Sequence, residues 1–442
     1  MIKRKMLCRA LCSAGILIYS ASALSENLIQ IYQKATVEDP TYQAALATHQ
    51  ATHESVAIAK GPLFPQLSLI GSINRAKLNS GVVENGRGYS LTLTQSLVDY
   101  AQWQTVDQAE QQAAQADVVL QGAKQTLMLD VATAYFNVLK AKDNLVSAQS
   151  QVNSLKNNLD KVEQQHKVGV KPMSDVLDAR SSYDQARADL IQKENTVATS
   201  WESLRAITGV RYKTLSPLRA KINFAGPLPN DIHYWETAAS NNNLDMKTAR
   251  FDAEIAKTSI NINHAGHYPT LDLELSYSYN RDPSGVISGV AGNNHNAAIN
   301  LVLNVPIFSG GLITAQTQQA INQYDAAHYS LVKAQRAAVS NARQSFLGMT
   351  AQLSSIRAFE AAVKADETSL KTYEASYAVG VATMLDILRV IQNLNSDQQL
   401  LAKARYDYIL DYLQLKSNAG SLTFADLEKV NSWLTAQSKI KK

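Results

Sequence analysis

The 442-residue chain has only two cysteines, Cys8 and Cys12, both within its first dozen positions. Everything after them therefore lacks a disulfide framework, a thiol redox centre and a cysteine-based zinc site. Charge is also sparse: Asp, Glu, Lys and Arg make up 18% of the residues. The formal charge of +4 is carried by Lys3, Arg4, Lys5 and Arg9, and no acid precedes Glu26. Beyond that segment acids and bases balance, so no net field remains to attract nucleic acid. No apolar run of about 18 residues follows position 25, which excludes a membrane-spanning helix there. A membrane protein of this sequence has to be a barrel. No phosphate-cradling glycine loop, Ser/His/Asp order or pair of catalytic carboxylates is found, so the chain reads as no enzyme and as needing no cofactor. ATP or proton energy would come from a partner.

Residues 1–25 read as a secretory signal. Lys3 to Arg9 form a basic start, and Ala10 to Tyr19 form an apolar stretch too short to cross a bilayer of about 30 Å. Ala23-Leu24-Ser25 offers a cleavage site before Glu26. Cys8 and Cys12 lie before or inside the apolar stretch, which does not fit a lipoprotein signal. The expected mature chain leaves the cytoplasm.

What the sequence does contain is repetition. Gly61-Pro62-Leu63-Phe64-Pro65 resembles Gly266-His267-Tyr268-Pro269. Leu91-Thr92-Leu93 returns as Leu301-Val302-Leu303, and Val168-Gly169-Val170 with Asp175-Val176-Leu177 returns as Val379-Gly380-Val381 with Asp386-Ile387-Leu388. Leu204 to Gly209 returns as Leu415 to Gly420. The near-constant shift of 210 to 211 residues marks two copies of one unit. The expected organisation is a signal (1–25), a first copy (26–215), a linker (216–230), a second copy (231–425) and a tail (426–442).

Each copy begins with a helix, about 27–60 and about 235–264, stopped by a Gly/Pro cluster. Two strands follow, as hairpins of about 65–99 and about 269–308. Leu271, Leu273, Leu275, Tyr277 and Tyr279 alternate with Asp272, Glu274, Ser276 and Ser278. Tyr89, Leu91 and Leu93 alternate likewise, as do Ile299, Leu301 and Leu303, and more weakly Leu67, Leu69, Gly71 and Ile73. Such period-two segments suit strands tilted through a bilayer. Turn formers join them: Asn79-Ser80-Gly81 and Asn85-Gly86, then Asp282-Pro283-Ser284-Gly285 and Gly292-Asn293-Asn294. Next come runs of 66 residues, Ala101–His166 and Leu312–Tyr377, without proline and with one glycine each. Each predicts a helix of about 99 Å at 1.5 Å per residue. Their Ala/Gln-rich faces suit laterally packed coiled-coil rods better than a globular core. Helices over about 174–208 and 383–420 return. The two short helices of a copy, laid end to end, match the one long helix.

Two hairpins give four strands, and four strands cannot close, since barrels start at about eight. Open edges in lipid are costly, so the chain must assemble. Two copies of the chain would give eight strands with a filled interior; three would give twelve and a lumen. Phe64, Tyr268, Tyr100, Trp103 and Phe308 lie at the helix-bearing end of the strands. They suit an interfacial girdle or packing of the strand-to-helix junction, and the two roles are compatible.

At this point the residues resemble the TolC-like outer-membrane efflux channels. The resemblance runs over about 26–425, through Glu26-Asn27-Leu28-Ile29-Gln30-Ile31-Tyr32, Pro62-Leu63-Phe64-Pro65-Gln66-Leu67, Leu91-Thr92-Leu93-Thr94-Gln95-Ser96, Ala132-Thr133-Ala134-Tyr135-Phe136-Asn137 and Ala404-Arg405-Tyr406-Asp407-Tyr408. It implies an α+β membrane fold: a homotrimer with a twelve-stranded transmembrane β-barrel in the outer membrane, four strands per protomer, above a periplasmic α-helical coiled-coil tunnel. It implies a passive duct for drugs, toxins or type I secreted proteins. The implied partners are a periplasmic adaptor (membrane fusion) protein, an inner-membrane pump or ABC exporter, and outer-membrane lipid. A non-conducting coiled-coil scaffold of the envelope is the alternative, and it would not need lipid-facing Leu271, Leu273 and Leu275.

The resemblance also places a gate at the helix turns around Gly169 and Gly380, where glycine ends one helix in a left-handed conformation. By motif, Tyr377 takes the latch tyrosine, Ser174-Asp175 the Thr-Asp pair it binds, and Asp386 the first acidic ring of the lumen. Ala382 stands where the latch arginine is expected, and Arg389 where a second acidic ring is expected. The expectation is a surviving Tyr377–Asp175 hydrogen bond, with Lys171 as a replacement for the lost arginine. Arg389, three residues after Asp386, shares its helix face and should weaken cation attraction and block. The same residues also suit caps: Thr383-x-x-Asp386 is a capping box, and Ser174 or Asp175 could cap the next helix. His49 and His53 are four apart on a predicted helix, but no third metal ligand is apparent in the sequence, so no metal is expected. His264 and His267 flank a turn and are expected to be solvated.

Overall fold

The computed structural model describes residues 25–77, 81, 83–282, 289 and 291–435. The expected signal up to Leu24, the turn formers Asn79-Ser80 and Pro283-Ser284-Gly285, and the tail from 436 lie outside the described residues. The first half runs α1 (Leu28–Glu38), α2 (Pro40–Lys60), β1 (Gln66–Lys77), β2 (Val83–Val98), α3 (Tyr100–Lys167) and α4 (Met173–Thr208). The second half follows the same order: α5 (Ile232–Asn242), α6 (Leu244–His264), β3 (Thr270–Asp282), β4 (Gly292–Asn304), α7 (Leu312–Ala378) and α8 (Met384–Asn418); α9 (Phe424–Asn431) comes last.

Two long helices dominate, α3 with 68 residues and α7 with 67. Each is about 100 Å long at 1.5 Å per residue. α3 starts where the Asp99 side chain accepts from Gln102 N at 3.0 Å, one of the free N–H groups of its first turn. The first helix of each half is broken, against the expectation of one continuous helix. At Asp39-Pro40 the proline ring and missing N–H push Asp39 to φ −68, ψ 117, and Asp39 then caps α2 by accepting from Tyr42 N at 2.7 Å. Asn243 makes the second break, accepting from Met246 N at 3.0 Å while its Nδ2 donates to Asn418 O.

α2 lies along the sheet-proximal part of α3, and α4 along its distal part. Gln102 Nε2 donates to Ala59 O at 2.7 Å near one end, and Arg180 pairs with Glu163 at 2.7 Å near the other. Glutamine also explains the lateral contact between halves. Gln108 Nε2 donates to Ser259 Oγ and Gln115 Nε2 to Asp252 Oδ1, both at 2.6 Å, so α3 is tied to α6 by amides. Small alanines such as Ala338 and Ala342 let the helix backbones approach.

The four strands make one antiparallel sheet in the order β1-β2-β3-β4. Directly opposed residues share a face, so the register builds one apolar face from Leu67↔Leu93, Leu69↔Leu91, Leu93↔Leu275, Leu275↔Ile299, Leu273↔Leu301 and Leu271↔Leu303. Ser68↔Thr92↔Ser276 and Thr94↔Glu274↔Asn300 belong to the other face. Leu69 is 70% exposed and Ile299 76%, so none of the described residues covers the apolar face there. At its loop end it closes with Tyr89, Tyr277, Tyr279 and His295, whose rings touch at 4.9 to 6.3 Å. At its helix end Tyr100 and Tyr268 meet edge-to-face at 5.4 Å. The eleven residue steps from Tyr268 to Tyr279 span about 37 Å of chain at about 3.4 Å per residue, or about 28 Å of height at a tilt near 40°.

A compact core does exist, between the two ends of the rods. Leu28, Ile31, Tyr135, Phe136, Leu204, Ile409, Leu413 and Leu427 are sealed from solvent there. The linker joins it: Tyr135 Oη donates to Ser216 O at 2.8 Å, and Phe224 meets Tyr408 and Trp433 edge-to-face. The stretch from 426 is not a free tail as far as it is described. α9 straddles the expected boundary at 425/426, buries Leu427 and Val430 completely, and leads into a Leu218–Leu434 bridge.

Candidate functional site

The far end of the rods consists of two helix turns. α3 ends with Gly169 at φ 75, where Gly169 N donates to His166 O and Val170 N to Gln165 O, both at 2.9 Å. α7 ends with Gly380 at φ 82, where Gly380 N donates to Tyr377 O at 3.1 Å and Val381 N to Ser376 O at 2.9 Å. Both are Schellman turns that satisfy the last carbonyls of a long helix.

Tyr377 lies in the last turn of α7 and is buried, 3% exposed, in a distal cluster with Val162, Val176, Met384 and Ile387. Its hydroxyl donates to Gln165 Oε1 at 3.4 Å, not to Asp175 as the sequence suggested. Asp175 sits in the first turn of α4, where the positive end of that helix favours its carboxylate and leaves the hydroxyl to Gln165. Asp175 is still close enough to act. Burial pushes the Tyr377 pKa up, and the Asp175 charge adds to that. Neither Ser174 nor Asp175 caps α4: the N-cap is Pro172, without a side-chain hydrogen bond, and Ser174 is exposed. Lys171 Nζ stands 4.1 Å from the Tyr377 ring centroid, on its face. Ala382 is half-buried against the same cluster.

Asp386 forms the anticipated capping box. Its Oδ2 accepts from Thr383 N at 2.9 Å and from Thr383 Oγ1 at 2.6 Å. The Thr383 hydroxyl bond, then the backbone bond, hold its pKa below the usual carboxylate range, and Arg389 adds to this. Arg389 is exposed and lines an open groove of about 490 Å3 with Leu385, Gln392, Ser182, Asp189 and Lys193, between α8 and α4.

Two groupings were not apparent in linear spacing. Gln165 reaches Tyr377 across 212 positions. Asp117 brings a carboxylate to both His49 and His53, with Oδ1 at 2.7 and 3.0 Å from their Nε2 atoms. One signal was present in the repeat: the 211-residue shift carries Lys171 onto Ala382, so a cation in one half stands at the place that alanine takes in the other. His264 and His267 are exposed.

A sheet with one apolar face left uncovered by the described residues, between two aromatic levels and on rods about 100 Å long that end in two tight helix turns, defines a class: outer-membrane ducts with a long helical extension. The comparisons agree. The family model of outer membrane efflux proteins matches residues 31–210 and 236–421. The chain is 34% identical over 428 residues to outer membrane protein TolC of Escherichia coli (strain K12), covering 94% of this chain and 87% of that one. It is 27% identical over 432 residues to the alkaline protease secretion protein AprF of Pseudomonas aeruginosa, covering 94% and 89%. The Campylobacter jejuni CmeC outer membrane channel superposes with a TM-score of 0.78 over 98% of both chains at 15% identity. The chain belongs to the outer membrane efflux protein family. Its place is the outer membrane, and its work is export through it.

Proposed function

We propose that three copies of this chain, each built from two copies of one unit, close a twelve-stranded barrel in the outer membrane and stack their rods into one tunnel. The observation that carries this is the four-stranded sheet with β1 and β4 as free edges and an uncovered apolar face. In lipid each unpaired edge group costs several kcal/mol, and only sister chains can pair them all. Twelve strands leave a lumen where eight would fill it. The duct carries drugs or toxins, type I secreted proteins, or both, and docks a periplasmic adaptor with an inner-membrane pump or ABC exporter as energy source. AprF is named for protease secretion, which supports the protein-export branch.

In this reading the far turns are the gate. Tyr377 is the latch, held by Gln165 and covered by Lys171, which supplies from the first half the cation that Ala382 does not supply from the second. Asp175 sets the local potential, and Ser174 stands at the rim. Asp386 and Arg389 from each protomer ring the mouth. The test is reconstitution. Protein extracted from outer membranes should run as a heat-modifiable trimer and conduct ions in planar bilayers. A single subunit that stays soluble without detergent and passes no current would overturn the reading. A deletion strain assayed for dye efflux and for its secreted proteins separates the two kinds of cargo.

A further inference from the structure

His49 and His53, one turn apart in α2, present their rings on one side of the helix, with centroids 4.5 Å apart. Asp117 of α3 meets both: Oδ1 lies 2.7 Å from His49 Nε2 and 3.0 Å from His53 Nε2. One ligand atom from each side chain thus converges within 4.8 Å of the others. The helix pair does not depend on them for register. Gln102 to Ala59 and Lys60 to Glu110 at 2.8 Å already tie α2 to α3. The second half packs α6 on α7 in the same way, yet α6 holds no histidine except His264 at its end. Two imidazoles have therefore been placed on one carboxylate in one half only.

We propose that His49, His53 and Asp117 bind a divalent transition cation of the zinc, nickel or cobalt class, bridging α2 to α3 in the helical body below the sheet. Two imidazole nitrogens and one carboxylate are a donor set that zinc takes in sites with an open fourth position, and imidazole suits nickel equally. Calcium and magnesium, which want oxygen ligands, do not match it. Metal–ligand lengths of about 2.0–2.2 Å set tetrahedral ligand atoms about 3.3 Å apart. The His49–Asp117 and His53–Asp117 spacings of 2.7 and 3.0 Å are shorter by about 0.3–0.6 Å, and His53 and Asp117, with side chains 44% and 59% exposed, are free to open by that much. The site has a built-in limit. His49 Nδ1 is buried without a partner. Coordination through Nε2 leaves the proton on that nitrogen, so the affinity falls short of a closed structural zinc centre.

The experiment uses untagged full-length protein extracted from outer membranes in detergent, stripped with a chelator and titrated with Zn2+ and Co2+. The expected result is one saturable site per chain, visible ligand-field bands with Co2+, and no competition from a large excess of Mg2+. His53→Ala and Asp117→Asn should each weaken binding at least about 10-fold, the lower end of what losing even an outer-shell partner costs, and abolish the bands. No saturable site, or equal binding by a His49→Ala/His53→Ala variant, overturns the proposal. A second measurement needs no substitution. Zn2+ should protect His49 and His53, but not His264 and His267, from diethyl pyrocarbonate, and equal modification with and without Zn2+ also overturns it.

Discussion

At their far ends the two halves close nearly the same backbone hydrogen bonds, Val170 N to Gln165 O in one and Val381 N to Ser376 O in the other, both at 2.9 Å. The side chains on that shared backbone differ. The 211-residue shift carries Leu155 and Ala186, both buried, onto Asp366 and Asp397. It carries Lys171 onto Ala382 and Asp178 onto Arg389. The first half has an apolar helix pair with a cation at its turn. The second has a carboxyl pair inside its helix pair and a cation further up the helix. The turn repeats because helix termination demands it; the charges do not repeat because nothing in the turn does.

The largest difference expected between matched positions is at the glycines that end α4 and α8. Gly209 and Gly420 both adopt positive φ, 67 and 64. A side chain at Gly209 meets only Glu38 Oε2, at 4.0 Å, whereas one at Gly420 lies 2.1 Å from the backbone oxygen of Asn242. Gly209→Ala should cost about 1–2 kcal/mol, the left-handed penalty alone. Gly420→Ala must also push α5 away from α8, and little heat-modifiable protein should reach the membrane. Equal yields of the two variants would show that the α5–α6 break is not fixed against α8.

Next in size is the helix pair behind the proposed gate. Leu155 is 3% exposed, so Leu155→Asp loses a buried side chain and buries a carboxylate, about 3 kcal/mol or more. Asp366→Leu should do the opposite and stabilise, in a pH-dependent way. Burial first, then the Asp397 charge, raise the pKa of Asp366. A raised carboxylate costs nothing below its ordinary value near 3.8 and costs progressively more as pH climbs through the raised folded value. The gain from Asp366→Leu should therefore be present at neutral pH and fade in acid, read as denaturation midpoints at pH 7 and pH 4. A gain that grows in acid would reverse the assignment.

The parts of this molecule that were legible in the sequence are those set by local chemistry. The absence of proline from 312 to 377 and the glycine at 380 give α7 to within a residue or so of its observed ends. Alternation alone locates β3, and the Thr383–Asp386 spacing gives the cap of α8. The break at Pro40 was readable in principle, since proline disfavours helix at the residue before it; the break at Asn243 has no such marker. The core between the rod ends was hidden because its members, from Leu28 through Tyr135 and Leu204 to Leu427, meet only in three dimensions. The same holds for Gln165 at Tyr377 and for Asp117 at the histidines.

The proposed latch gives a smaller effect and a direct test of the exchange between halves. A cation on an aromatic face is worth about 0.5–2 kcal/mol, so Lys171→Ala should raise the open population several-fold. Passive entry of a large hydrophilic antibiotic would report this, as would longer open times in bilayers. Lys171→Arg should stay closed. Lys171→Ala combined with Ala382→Arg should close again if the cation can serve from either half, and should remain leaky if only Lys171 has the right approach to the ring.

The smallest effect concerns the mouth, where the halves differ in sign at one matched position. Arg389→Asp gives the second half the acid that the first half has at Asp178, and in the proposed trimer it changes the ring beside Asp386 from opposed to like charge. Arg389 is exposed, and at 0.15 M salt its field falls off over about 8 Å. The change should therefore appear as stronger cation selectivity and tighter block by trivalent cations at low ionic strength, shrinking as salt is added. The pH dependence adds a second condition. The Thr383 hydroxyl and backbone bonds, and then Arg389, keep the Asp386 pKa low, so its charge, and the block, should persist below pH 3.8. Arg389→Asp removes only the last of these supports. Block should then be stronger at pH 7 but be lost at a higher pH than in the parent, and a parallel shift of both quantities would mean that Arg389 does not face the same water as Asp386.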